Sequence, residues 1–244
     1  MPDKLKKWTT TNNLEILQVF SRRSNVYFVW NGAKGLLVDT GTISSWEKLN
    51  KNLQWLKDEG KTINFLALTH THYDHCQNAA AIQVQENCKI LVSEKETELC
   101  RTGFTRLPSG TSGFSRIVVG LGKRLNKKQF SYKPFKPDVI IENELELQEF
   151  GGLVRIISTP GHTEGSLSIL VDNEIALVGD TLFGIFRNSV FPPFANNVPE
   201  LIKSWEKLLN TGCRMFFPGH GREISQKLLK IEYRKYKQKL KKIH

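Results

Sequence analysis

Residues 63–75 read INFLALTHTHYDH. An apolar run that suits a buried strand stops at Thr69, and three histidines and an aspartate follow at once, in a chain with six histidines in all. In extended backbone, residues two apart project to the same side. His70 and His72 therefore offer two imidazoles to one point. If the chain then turns into a helix, Asp74 and His75 swing round to a neighbouring point. Imidazole and carboxylate together suit zinc, iron and manganese. The spacing H-x-H-x-D-H divides into halves of two adjacent metal sites.

Outward from this stretch, the other ligand-capable residues fall in the same kind of place. His162 sits in TPGHTEG, after the strand-like LVRIIST. Asp180 sits in LVGDTLF, at the end of EIALV. His220 sits in FPGHGRE, just past CRMFF. Five of the six histidines thus lie just beyond the ends of predicted strands, and the sixth is His244. A chance cluster of buried or surface histidines does not account for that pattern, because ligands gather at strand ends.

The rest of the sequence reads as strands with packing helices. LEILQVF, NVYFVWN and GLLVDTG are β-rich runs bounded by Asn, Ser and Gly. Ser44 and Glu47 have capping-box spacing, and Trp46, Leu49, Leu53 and Leu56 repeat at helical intervals up to Gly60. Helices are expected at 76–86, near 94–100 and at 198–210, with Pro199 in the first turn of the last. Gly151-Gly152 and Asp172-Asn173 read as turns. Strand-rich halves with helices predict helices on both outer faces of paired sheets.

Composition narrows the class. The chain has 244 residues, 39% hydrophobic and 24% charged, which is ordinary for a soluble protein. No apolar stretch approaches the roughly 20 residues that span a bilayer. MPDKLKKWTTTNN has no apolar signal-peptide core, so a cytoplasmic location is expected. Cys76, Cys88, Cys100 and Cys213 form no CxxC pair and read as free thiols. The net charge is +11, concentrated at 122–137 and from Arg222 onward, where nine Lys or Arg meet two Glu. Such runs are read here as solvated faces rather than nucleic-acid sites. Leu229, Tyr233, Tyr236, Leu240 and Ile243 form one apolar helical stripe within the basic tail. It must lie on its own domain, a second subunit in a homodimer, or a membrane surface.

In this order, THTHYDH, TPGHTEG, GDTLF and FPGHG resemble the motifs of the metallo-β-lactamase superfamily. VDTG, with Asp39, resembles its first motif, a structural element behind the ligands. The similarity runs from about residue 14 to about 224. It implies an α/β fold: an αββα sandwich of two mixed β-sheets flanked by helices, with metals at one edge between the sheets. It implies that His70, His72 and His162 bind one metal, that Asp74, His75 and His220 bind a second, and that Asp180 bridges both. Residues 1–244 are then one domain, with an insertion at about 101–137 and a basic C-terminal helix at about 224–243.

The expected cofactors are two divalent ions, zinc first, with iron or manganese as alternatives. The expected reaction is hydrolysis by a hydroxide held between them, with Asp74 as the catalytic residue that orients it or moves its proton. An aspartate at 180 resembles the glyoxalase II and lactonase branch more than true β-lactamases, which place cysteine there or lack a bridging ligand. A histidine at 72 departs from the flavodiiron branch, which places Glu there. The expected substrate is a small molecule with an ester-like bond: lactone, thioester or ester. The alternative is a phosphodiesterase or nuclease of the same fold, motivated by the basic charge. Phe183, Phe186, Phe191 and Phe194, just after Asp180, read either as an apolar substrate pocket or as core.

Overall fold

The computed structural model describes residues 5–111 and 130–241. Seven strands form the first sheet in chain order: β1 (Lys6–Thr9), β2 (Glu15–Ser21), β3 (Asn25–Trp30), β4 (Gly35–Val38), β5 (Phe65–Ala67), β6 (Lys89–Ser93) and β7 (Val139–Ile141). The second holds β8 (Glu144–Glu146), β9 (Val154–Ser158), β10 (Leu167–Val171), β11 (Ile175–Gly179), β12 (Met215–Pro218) and β13 (Ile224–Ser225), adjacent in that order. Both sheets are mixed. β1 to β4 pair antiparallel and β4 to β7 parallel; β11 and β12 are the parallel pair of the second sheet.

Alternation decides the layers. In β3, Tyr27 and Val29 face the second sheet while Val26 and Phe28 face outward; in β11, Ile175 and Leu177 face inward while Ala176 and Val178 face outward. All of these are buried, so both faces of each sheet are covered. Parallel neighbours need a crossover on a sheet face, and helices supply it. α1 (Trp46–Asp58) joins β4 to β5, and α2 (Tyr73–Cys76) with α3 (Ala79–Glu86) joins β5 to β6. After α4 (Thr97–Thr102), the helix α5 (Val198–Leu209) links β11 to β12, and α6 (Gln226–Lys241) packs beside it. The result is the expected αββα arrangement. It shares one edge: Asp39, His70, Asp180 and His220 all follow the C-terminal ends of parallel strands, where register pairs Val38 with Ala67 and Gly179 with Pro218.

Local signals mostly hold. Leu49, Leu53 and Leu56 are fully buried on α1, worth about 1.5–3 kcal/mol each. Asp172 and Asn173 both take positive φ, 57° and 50°, at the centre of the turn between β10 and β11 that the Glu174 N–H closes by donating to the Val171 carbonyl at 3.1 Å. Asn197 caps α5 by accepting from the Glu200 N–H at 3.1 Å. The Ser44 capping box does not form. Ile43–Ser45 is already a turn of 3-10 helix, so Ser44 is not at the extended position from which a hydroxyl caps. The Ser44 hydroxyl pairs with that of Thr42 instead, at 3.0 Å. The helix expected at 76–86 starts earlier, with α2 at Tyr73, and breaks between Cys76 and Ala79.

The four cysteines are buried and free. Among the described residues no helix is long and apolar enough to cross a membrane. The central part of the expected insertion, 112–129, lies outside the described residues, as do Ile243 and His244 of the tail. The stripe of α6 rests on the chain itself: Leu229 is buried, and Tyr233, Tyr236 and Leu240 pack on the α5 side of the second sheet. Tyr236 stacks on Phe191 at 4.2 Å and meets Trp205 edge-on at 5.7 Å.

Candidate metal centre

β5 ends at Ala67, and the segment Leu68–His72 carries the chain to α2, which begins at Tyr73. Asp39 positions this segment from the end of β4. Held at φ 62°, it accepts the Thr69 N–H at 2.8 Å on Oδ1 and the Thr69 hydroxyl at 2.8 Å on Oδ2. It also accepts His75 Nδ1–H on Oδ2 at 2.8 Å. The Thr69 oxygen in turn lies 3.1 Å from His70 Nδ1. With their Nδ1 sites engaged as donors, His70 and His75 are left with a lone pair on Nε2.

His162, after β9, follows the same rule: its Nδ1–H donates to the Phe194 carbonyl at 2.9 Å. Its Nε2 faces His72 Nδ1 at 2.9 Å, and His75 Nε2 faces His220 Nε2 at 3.3 Å. Ring nitrogens this close repel unless a proton or a cation lies between them. Asp180, after β11, stands in the middle. One oxygen lies 3.4 Å from His75 Nε2, and the other lies 3.3 Å from His220 Nε2 and 3.6 Å from His162 Nε2. Asp74 Oδ2 is 3.7 Å from His220 Nε2. Gly219 makes the convergence feasible, because a Cβ there would lie 2.5 Å from His75 Cε1 and 2.6 Å from Asp180 Oδ1.

Three groups of potential ligand atoms result, each within 4.8 Å: His70, His72 and His162; Asp74, His75 and His220; and His70, His75 and Asp180. All seven residues expected from the sequence are therefore gathered, and Asp180 joins one member of each set. Among the described residues, His70 Nε2, His72 Nε2 and Asp180 Oδ1 are the buried side-chain N or O atoms without a hydrogen-bond partner. Unpaired buried polar atoms are costly. Their concentration in a cluster of imidazoles and carboxylates fits a bound divalent cation, and the donor set suits zinc, iron or manganese.

The electrostatics differ between the two halves. Burial pushes His70, His72 and His162 below the ordinary imidazole range, His70 and His72 well below. Burial pulls His75 and His220 in the same direction, but the Asp180 carboxylate beside both, with Asp39 beside His75, outweighs it and raises them. Asp180 itself resists burial through His220 and His75, which hold it well below the usual carboxylate range.

One supporting residue carried no mark in the sequence. Glu96, buried in a turn before α4, accepts the Thr71 N–H at 3.1 Å, the Thr71 hydroxyl, and the Thr163 hydroxyl at 2.6 Å. It ties the THTHYDH loop to the TPGHTEG loop. Its own surroundings, SEKETE, look like an exposed charged turn. Of the four phenylalanines, Phe191 faces the core beside Trp205, Phe194 lends its carbonyl to His162, and the Phe183 ring lies 4.9 Å from the His220 ring, tilted by 38°.

The family model described as "Metallo-beta-lactamase superfamily" matches residues 21–220. The chain belongs to the metallo-beta-lactamase superfamily. A probable metallo-hydrolase of Methanocaldococcus jannaschii is 29% identical over 215 residues, covering 87% of this chain and 94% of that one. The beta-lactamase-like protein 2 homolog of Drosophila melanogaster is 26% identical over 86% of this chain and 62% of its own length. The atrochrysone carboxyl ACP thioesterase of Aspergillus fumigatus is 26% identical over 86% of this chain and 54% of its own. The chain therefore spans little more than half the length of these last two relatives. Among solved metallo-beta-lactamase-fold structures, VMB-1 superposes with a TM-score of 0.67 at 18% identity, covering 95% of each chain. An archaeal superfamily protein from Sulfolobus tokodaii gives 0.60 at 20% identity, covering 87% of this chain and 79% of that one. These likenesses speak for the fold.

Proposed function

We infer that this chain is a metal-dependent hydrolase that holds two divalent cations and cleaves an ester-like bond in a small molecule: a lactone, thioester or ester. The observation that carries the reading is the meeting of seven imidazole and carboxylate side chains at one sheet edge, with Asp180 reaching both halves. His70, His72 and His162 would hold one cation, and Asp74, His75 and His220 the other. The relatives named as metallo-hydrolase and as thioesterase are in keeping with it.

When bound, such cations lower the pKa of water towards neutrality and polarise the carbonyl under attack. The protein's part is preorganisation. Asp39 and Thr69 fix ring orientations before substrate arrives, so no reorganisation is needed at the moment of reaction. Asp74 is the most exposed carboxylate of the cluster, at the start of α2, and is the group placed to orient water or carry its proton. Its backbone carbonyl is held by the Ser24 hydroxyl at 2.5 Å, which fixes the turn that presents it.

The test is elemental analysis of the purified protein beside a hydrolysis screen of ester, lactone, thioester, β-lactam and phosphodiester substrates. Two equivalents of metal with turnover of an ester-like substrate are expected. One equivalent or none, or turnover confined to phosphodiesters, would overturn the reading. Asp74→Asn, similar in shape but uncharged, should lower the rate about 100-fold or more at equal metal loading. A rate equal to the parent's would remove Asp74 from catalysis.

A further inference from the structure

The cluster is closed on one side and open on the other. His162 is covered by the segment carrying Phe194, which is sewn to residues 109–111: the Ala195 N–H donates to the Ser109 carbonyl at 2.9 Å and the Thr111 N–H to the Pro193 carbonyl at 3.0 Å. The side chains of Asp74 and His220 keep 16% and 10% of their surface exposed, against 2% for His162 and none for His75. Among the described residues, the cluster is therefore most accessible over Asp74 and His220.

An apolar wall borders that opening. The Phe183 ring lies 4.9 Å from the His220 ring, and Phe186 lies 6.3 Å beyond it. Ile185 and Phe186 are 57% and 51% exposed. Ile43, Val84, Ile140 and Ile231 are exposed as well, but each stands without an exposed large apolar neighbour in sequence, and single exposed apolar residues are ordinary. The pair at 185–186 is different because it continues from a ring that touches the cluster. Its backbone is anchored there too. The Gly184 N–H donates to the His220 carbonyl at 2.8 Å, and the Gly184 carbonyl accepts the Arg222 N–H at 3.2 Å. A Cβ at Gly184 would lie 2.1 Å from the Arg222 carbonyl oxygen, so only glycine permits this approach. The wall is thus built onto the loop that carries His220.

We propose that Ile185 and Phe186, backed by the buried Phe183 ring, form the binding wall for an apolar acyl or alkyl group of the substrate, selecting medium-chain esters, thioesters or lactones over acetyl esters. The proposal rests on the hydrolase reading above and names the substrate class of that same site. Each methylene that reaches the wall should raise kcat/KM about threefold to fourfold until the wall is covered.

The experiment compares acyl esters from acetyl to octanoyl on the metal-loaded parent, on the double variant Ile185→Ser/Phe186→Ser, and on Val84→Ser as a remote exposed control. The readout is the octanoyl-to-acetyl ratio of kcat/KM. It should be about 30-fold or more in the parent and in the control, and should fall at least tenfold in the double variant. A flat series in the parent, or the same ratio in all three, would overturn the proposal. Calorimetric binding of octanoate and acetate to the same preparations separates the two readings. If no ester is turned over but octanoate binds more tightly than acetate in the parent and the control and not in the double variant, the wall stands and the hydrolase reading falls. If octanoate has no advantage in the parent, the wall falls, whatever the turnover.

Discussion

Asp39 and His75 are joined by a buried 2.8 Å hydrogen bond, Nδ1–H to Oδ2, although 36 positions separate them in the chain. The bond exists because β4 and β5 are parallel neighbours whose ends lie side by side. It turns His75 Nε2 towards Asp180 and His220, and the same carboxylate holds Thr69 behind His70. One side chain behind the cluster thus aims a histidine of each half.

Asp39→Asn should therefore weaken metal binding more than it weakens folding. An amide can present a donor to His75 Nδ1 and reverse the ring's proton placement, which takes the lone pair from Nε2. Residues behind metal ligands commonly contribute about 10–100-fold in affinity. Competition with a chromophoric chelator measures it, and an unchanged affinity would leave Asp39 a purely structural role.

Asp180→Ala removes the one carboxylate within 3.6 Å of histidines from both sets. Metal content by elemental analysis should fall by at least one equivalent, and hydrolysis should be lost with it. Two retained equivalents with full activity would refute the bridging assignment.

Glu96 gives a separation of roles. Glu96→Ala leaves the buried Thr71 N–H without its partner, at a cost of about 1–3 kcal/mol, and frees the two histidine loops from each other. A lower melting temperature together with weaker metal binding is expected. Glu96→Gln keeps an acceptor for Thr71 and should restore most of both. Equal behaviour of the two variants would mean that the carboxylate's bonds to Thr71 and Thr163 do not position the loops.

Metal occupancy should depend on pH unequally in the two halves. His75 and His220 are raised by Asp180, so in the metal-stripped protein they hold a proton at pH values where an ordinary imidazole has lost it. A cation must displace those protons. His70, His72 and His162, lowered by burial, give up their protons at lower pH than an ordinary imidazole. As pH falls from 8 towards 5, a cation at Asp74, His75 and His220 should leave before one at His70, His72 and His162. The sign is consistent with linkage: the raised histidines stabilise the metal-stripped fold at low pH, and that contribution disappears as pH rises through their raised values. Metal-to-protein ratios after equilibration at stepped pH check it, and simultaneous loss of both equivalents would contradict it.

Truncation after Ser225 removes the buried Leu229 and the Tyr236 stack on Phe191. Scanning calorimetry should show a melting temperature lower by about 5–15 °C, with metal content kept. An unchanged melting temperature would mean that α6 contributes nothing by packing.

The sequence by itself determined the strand alternation, the turn at Asp172-Asn173 and the seven residues that meet at the cluster. These are legible because each depends on local rules: a period of two, a positive φ, a ligand just past a strand. The tertiary structure alone decided the rest. The Ser44–Glu47 spacing gave way to a 3-10 turn that begins at Ile43, one residue before Ser44. Phe191 went to the core and Phe186 to the surface, although both stand in one loop after one ligand. Glu96 became the tie between two histidine loops because α4 packs where His72 and His162 approach, and no pattern in SEKETE announces a partner 67 positions away. Local periodicity fixes which way a side chain points from its own element, whereas its partner is fixed by which elements the sheets bring together.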